Sequence, residues 1–184
     1  MSERAPSRMT TDEFIAWAMN RPEGGKYELY QGEIIQMAPE RTLHSETKFL
    51  LGHRLLAAIE TQRLPCQVFG DSMTVEIEQH TAYEPDVLVR CGPRLPPDTM
   101  KVIDPLIVVE VLSPSTQRRD LTEKLSDYFR LDSVRHYLVV DAPRRTVIHH
   151  ERMASGTIVT HTRIDQPVRL DPPGIEIADF FLAE

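Results

Sequence analysis

The sequence predicts an α/β domain, a central mixed β-sheet flanked by helices, with an N-terminal helix and hairpin in front of it. Three features carry this expectation. The run Leu106-Ile107-Val108-Val109-Glu110-Val111-Leu112 is apolar enough for a strand covered on both faces, as parallel strands are. A helical segment over 117–131 and a second apolar run, His136 to Asp141, follow it. Together they read as a strand–helix–strand unit with a right-handed crossover. A long helix spans about 42–62, where Leu43, Thr47, Leu50, Leu51, Leu55, Ala58 and Ile59 form one stripe at helical spacing. A chain of 184 residues suggests one domain. The expected division is a disordered lead-in over 1–9 and a single domain over 10–184.

The remaining elements follow in order. Thr10 and Glu13 give a capping-box signature, and Phe14, Trp17 and Ala18 share one face of the short helix behind it. Arg21-Pro22-Glu23-Gly24-Gly25 ends that helix. Lys26 to Met37 reads as a hairpin turning at Gln31-Gly32, and Pro39 stops its second strand. Strands are expected over 66–70, 73–78 and 85–90. In the second, Met73, Val75 and Ile77 alternate with polar residues. A proline-rich loop, 92–98, leads to the most apolar strand. Leu121, Leu125, Tyr128 and Phe129 mark the inner face of the 117–131 helix. Ala142-Pro143-Arg144-Arg145 turns the chain into an antiparallel meander over 146–151 and 157–163. Ile177 to Leu182 is expected to form a terminal helical turn.

Composition limits the function classes. Apolar residues make up 41% and charged residues 27%, which suits a packed core with a solvated surface. The formal net charge of −7 argues against a protein that coats DNA over a wide basic face, yet it allows a small acidic metal site. Only Lys26, Lys48, Lys101 and Lys124 are available for a role that needs a lysine amine. Cys66 and Cys91 match no zinc pattern and cannot build a disulfide framework, so free thiols are expected. No apolar run approaches the roughly 20 residues of a membrane span. The start of the chain has no apolar leader core, and a cytoplasmic location is expected.

Two carboxylates stand out. Glu110 lies inside the most apolar strand, where a charge is costly unless it is paired, protonated or metal-bound. The plain alternative is a strand-end glutamate reaching solvent or an arginine. Asp86 follows Tyr83-Glu84-Pro85 and opens an apolar strand; the plain alternative is an aspartate in a turn. Taken in order, Pro-Asp, an apolar strand, a connection and Glu near the end of the next strand place two hard oxygen ligands side by side. Such a pair suits Mg²⁺ or Mn²⁺.

The ordered series resembles the PD-(D/E)xK nuclease superfamily, and most of all the Uma2 family of restriction-endonuclease-like bacterial proteins. The resemblance runs from about Thr10 to Phe181. It is carried by Tyr27-Glu28-Leu29-Tyr30-Gln31-Gly32-Glu33, His44, Glu84-Pro85-Asp86-Val87 and Val109-Glu110-Val111-Leu112-Ser113-Pro114-Ser115-Thr116. Asp120, Lys124, Tyr128 and His136-Tyr137-Leu138-Val139-Val140-Asp141 complete it. The resemblance implies a restriction-endonuclease-like core and a metal held by Asp86, Glu110 and the Val111 carbonyl. It also implies a lysine two positions after Glu110, where this chain has Leu112. Lys124, in the next helix and in one stripe with Asp120 and Tyr128, is the replacement expected; its plain alternative is an exposed lysine paired with Asp120 or Asp127. Glu28 is expected to supply a further acid, and His44 a phosphate contact or proton carrier. Arg118-Arg119 would meet phosphates at the rim or remain a solvated pair. Adjacent strand histidines such as His149-His150 point to opposite faces and do not share a metal.

The function expected is Mg²⁺- or Mn²⁺-dependent hydrolysis of DNA phosphodiester bonds, with DNA as substrate and a homodimer as the cutting unit. The competing expectation is an inactive module of the same fold that binds nucleic acid or protein; Leu112 and the negative net charge favour it. An enzyme acting on another phosphate substrate is a third, without a Walker loop or dinucleotide fingerprint to support it.

Overall fold

A computed structural model describes residues 8–21, 24–71, 73–113 and 117–182. The elements in chain order are α1 (Thr11–Met19), β1 (Tyr27–Tyr30), β2 (Glu33–Gln36), α2 (Thr42–Thr61), β3 (Cys66–Gly70), β4 (Thr74–Glu78), β5 (Thr81–Tyr83) and β6 (Val87–Cys91). They continue with β7 (Lys101–Val102), β8 (Ile107–Val111), α3 (Gln117–Leu121), α4 (Glu123–Tyr128), β9 (His136–Asp141), β10 (Thr146–Arg152), β11 (Ile158–Ile164), β12 (Val168–Leu170) and β13 (Ile175–Ile177).

The central sheet has the order β11-β10-β9-β8-β6-β3. It is mixed: β8 runs parallel to β9, whereas β6 and β8 are antiparallel, with Val87 opposite Val109. A second sheet, β2-β1-β5-β4-β7, packs on one face of the first, and β12 and β13 form a separate ribbon. Every residue of β8 and β9 is buried, as continuous apolar strands require.

The two faces of the central sheet bury two cores. On one, Leu51, Leu55 and Ile59 of α2 pack with Val87, Val89, Val109, Val111 and Leu138. On the other, Val108, Tyr137 and Val139 pack with Val75 and Tyr83 of the second sheet and Tyr128 of α4. Strand alternation therefore sends Val109 and Val111 toward α2, and Val108 toward α4.

Local chemistry explains the first elements. Glu13 N–H donates to Thr10 Oγ1, and Glu13 Oε2 accepts from Thr10 N–H at 2.8 Å, so the capping box closes α1. Gln31 (φ 51°) and Gly32 (φ 83°) both take left-handed backbone, the geometry of a two-residue hairpin turn.

Five expectations need correction or supplement. The single helix expected over 117–131 is broken into α3 and α4 at Thr122, whose φ of −127° and ψ of −74° leave the helical region. Ile177 belongs to β13, and no helical turn forms over 178–182. Short strands β5, β7, β12 and β13 went unanticipated, because three residues or fewer carry no readable periodicity. Cys66 and Cys91 are not free thiols: the β3–β6 register sets them opposite one another, with Cα atoms 3.9 Å apart, and they form a disulfide. The lead-in expected over 1–9 lies mostly outside the described residues, although Met9 packs against Phe14, Leu29 and Ala82.

Candidate functional site

Glu110 occupies the β8 face that looks toward α4. Its side chain is buried, and its Oε1 accepts from Lys124 Nζ at 2.8 Å and from the Tyr128 hydroxyl at 3.0 Å. Both donors come from α4, which the β8–β9 crossover lays over this face. Lys124 is 1% exposed and also sits 2.7 Å from Glu28 Oε1 and 3.4 Å from Asp120 Oδ1. Glu28, fully buried on β1, has Arg119 Nη1 3.3 Å from its other oxygen. Hairpin, strand and helix thus converge on one ammonium group.

The electrostatics of this centre are unbalanced. Burial pushes the Glu110 carboxyl well above its ordinary value; Lys124 pulls it down, and the charges of Asp120, Asp86 and Glu28 push it further up. Burial alone would depress the Lys124 amine, but Glu110, Glu28 and Asp120 outweigh it and hold the amine well above the usual lysine value. Burial and Glu110 likewise raise the Tyr128 hydroxyl, which stays a proton donor.

Asp86 immediately precedes β6, beside the end of β8. Its Oδ2 accepts from the Val111 backbone N–H at 2.7 Å, and its Oδ1 faces His44 Nε2 at 3.2 Å. His44 stands in the first turn of α2. One turn further on, Lys48 Nζ lies 3.8 Å from Asp86 Oδ1, 2.6 Å from Glu40 Oε1 and 2.7 Å from Asp71 Oδ2. Lys26 contacts the same two atoms of Glu40 and Asp71. Burial alone would raise both of those carboxyls; the two ammonium groups overcome it and hold them below the ordinary range.

A cavity of about 360 Å³ connects these groups, lined among others by Glu40, His44, Glu84, Asp86, Glu110 and Leu112. Burial, with Glu28 adding to it, pushes the Glu84 carboxyl up to about 7. Lys124 and Glu28 stand behind the cavity wall rather than on it. All of the residues picked out from sequence, Glu28, His44, Asp86, Glu110, Val111 and Lys124, are therefore drawn into one region, in two adjoining groups. Arg119 is tied to Glu28 and Glu123 rather than free at a rim; the Arg118 side chain lies outside the described residues. His149 and His150 are elsewhere, and on opposite faces: His149 contacts His136, whereas His150 stacks on Tyr137.

Sequence reasoning missed Lys26, Glu40, Lys48 and Asp71. Lys48 had a readable signal, since it continues the buried stripe of Thr47, Leu51 and Leu55 and is itself buried. A lysine on the inward face of a helix needs carboxylate partners. Glu40 and Asp71 lie in connections, where spacing predicts no partner.

The donor set suits a hard divalent cation. The carboxylates about Glu110 outnumber the cations that balance them, and Asp86 keeps no lysine closer than 3.8 Å. Glu40, His44 and Asp86 each offer a ligand atom, all within 4.8 Å of one another.

Known proteins place this architecture. A crystal structure titled as that of a "putative nuclease belonging to DUF820" from Anabaena variabilis superposes with a TM-score of 0.70 at 20% identity, covering 89% of this chain and 90% of the other. The fold is thus the restriction-endonuclease-like one. The family Uma2, described as "Putative restriction endonuclease", matches residues 11–179, and this chain belongs to it. Two uncharacterized proteins of Synechocystis sp. are similar: slr1290 is 24% identical over 173 residues, 93% of this chain and 89% of that one. The other, sll1609, is 29% identical over 131 residues, 70% and 73% of the respective chains.

Proposed function

We propose that this protein is a divalent-metal-dependent endonuclease that hydrolyses DNA phosphodiester bonds. The observation that carries the reading is the Lys124 amine, 2.8 Å from buried Glu110 in a chain whose motif position for lysine holds Leu112. A family of restriction-endonuclease-like proteins supplies the substrate class.

In this reading Asp86, Glu110 and the Val111 carbonyl hold Mg²⁺ or Mn²⁺. Such an ion, when bound, activates water and neutralises charge on a phosphate. The protein's own groups do the rest. Val111 N–H fixes one Asp86 oxygen, and the other faces His44 on the cavity wall. Three carboxylates keep Lys124 protonated, so its role is a fixed positive charge that orients Glu110 rather than a base. Glu28 with Arg119 anchors that lysine. His44, on the cavity wall, is placed to contact a substrate phosphate. The net charge of −7 disfavours phosphate contact over a wide face. Cutting both strands of a duplex calls for two such sites, hence a homodimer.

The test is nicking of supercoiled, linear and single-stranded DNA, and of RNA, with Mg²⁺, Mn²⁺ or chelator. Metal-dependent cutting of DNA that is lost in Asp86→Ala and Glu110→Ala is expected. Cutting that is unchanged in both variants overturns the assignment.

One observation favours a second reading, a nucleic-acid-binding module without turnover. The Lys124 amine already faces three carboxylates and does not line the cavity. That reading predicts DNA binding with no cutting under any of these metals.

A further inference from the structure

We propose that the exposed face of α2 is the surface through which two copies of this chain pair, with their α2 helices packed antiparallel across a two-fold axis near residue 51. The inference deepens the homodimer of the proposed function by naming its surface, and its observations are those of the helix rather than of the metal site.

The helix is apolar on two sides. Its inner side buries Leu51, Leu55 and Ile59 in the core. Directly opposite, Glu46, Phe49, His53 and Leu56 recur at 3-4-3 spacing, which is the spacing of a helix–helix seam. All four are exposed, and Phe49, at 81%, is the most exposed large apolar side chain among the described residues. An aromatic ring in water near the middle of a long helix gains free energy when another surface covers it. Beside Phe49, Gly52 carries no side chain, and a hollow opens there between α2 and β3, with Leu56 and Val68 in its walls. β3 ends the central sheet, so no further strand of that sheet closes the hollow among the described residues.

This face is complementary to itself. Positions 49 and 53 are equally far from residue 51, and so are 46 and 56. An antiparallel two-fold therefore sets Phe49 over the partner's His53, with the partner's Gly52 beside it leaving room for the ring. Glu46 comes within one helical turn of the partner's His53, a carboxylate against an imidazole, and the symmetry makes that contact twice. A parallel pairing would instead set Glu46 on Glu46 and His53 on His53, like against like. Nucleic acid is the poorer occupant, because Glu46 and Glu60 lie on this face and the chain carries a net charge of −7. His44 and Lys48, which approach Asp86, lie on the inner side of α2 and so outside the seam.

The test is sedimentation equilibrium of the full chain, without DNA or added metal. A monomer–dimer equilibrium is expected. Phe49→Asp, at an exposed position, should weaken the dimer about 100-fold. Glu46→Lys and His53→Glu should each weaken it about tenfold, and the double variant should recover most of that loss, a rescue that only the antiparallel pairing gives. Circular dichroism checks that each variant is folded. A chain that stays monomeric at every concentration, a dimer that Phe49→Asp does not weaken, or charge variants without rescue overturns this proposal. A monomer whose binding to DNA is lost in Phe49→Asp also overturns it and gives the face to nucleic acid. Each of these results leaves the Asp86–Glu110 metal to its own nicking test, and a dimer that cuts no DNA leaves this pairing in place.

Discussion

Lys124 and Glu110 stand 14 residues apart in the chain and 2.8 Å apart in space. The strand-to-helix crossover from β8 to α4 makes this possible, by laying the helix over the face on which Glu110 lies. An amine is thus delivered to the acidic centre from a separate element, although position 112 carries leucine. Lys124→Met would leave Glu28, Glu110 and Asp120 buried around an apolar side chain. Removing one partner of a buried ionic group costs about 3–5 kcal/mol. Urea unfolding should show a loss of this size, with Lys124→Arg losing less. A loss below about 1 kcal/mol would mean that the centre is not held by this amine.

Glu110 and Leu112 are two apart on an extended chain, so they share a face. Leu112 N–H still bonds the Val140 carbonyl at 2.8 Å, which keeps this spacing. Leu112 lines the cavity, unlike Lys124. Leu112→Lys in a Lys124→Met background should therefore return an amine to Glu110 from the cavity side. If the proposed nuclease needs that charge, Lys124→Met lowers metal-dependent nicking about 100-fold, and the added substitution recovers a large part of it. Nicking rates of the two folded variants decide the matter; equal rates remove the charge from the mechanism.

The Tyr128 hydroxyl gives Glu110 its second hydrogen bond, at 3.0 Å, from a fully buried ring. Tyr128→Phe removes the donor and keeps the ring packed on Tyr83 and Tyr137. A hydrogen bond to a charged group contributes about 1.5–3 kcal/mol. Since Lys124 remains on the same oxygen, the loss in chemical denaturation should fall at the lower end of that range. No change in stability would show that Glu110 does not depend on this hydroxyl.

Much of this architecture was legible because its signals are periodic. The β8 run, the α2 stripe and the Gln31-Gly32 turn each follow from spacing that neighbouring residues reinforce. Glu110 was legible for the opposite reason: it breaks an apolar run, and burial demands a partner for it. Lys124 was reached through the family resemblance and its helical stripe with Asp120 and Tyr128. What sequence could not supply was pairing across connections. Glu40 and Asp71 meet Lys26 and Lys48 only after β1, α2 and the β3–β4 turn are assembled. The same holds for Cys66 and Cys91, which the β3–β6 register brings face to face.

His136 and His149 lie away from this site and give the fold a pH-dependent cost of their own. Both are buried on the central sheet. The Pro172 carbonyl accepts a hydrogen bond from His136 Nε2 at 2.8 Å, which puts the neutral ring's proton there and makes Nδ1 an acceptor. His149 Nε2, 3.0 Å away, is then the donor. Burial pushes His136 down to about 4 against the Pro172 hydrogen bond, and burial with the neighbouring His136 pushes His149 down to about 3. In the unfolded chain both titrate near 6.5. Above that pH neither state takes up a proton, and stability is unaffected. As pH falls below it, the unfolded chain binds protons that the folded chain refuses, and stability drops by about 1.4 kcal/mol per pH unit for each ring. The loss levels off for each ring once pH passes its folded value. Glu84, raised to about 7, opposes the two rings over the same range, so the test is a difference between variants: His149→Phe should gain on the parent chain by about 1.4 kcal/mol per unit as pH falls from 6.5 to 5. A difference between the two proteins that does not change with pH over this range would show that His149 takes up its proton within the fold.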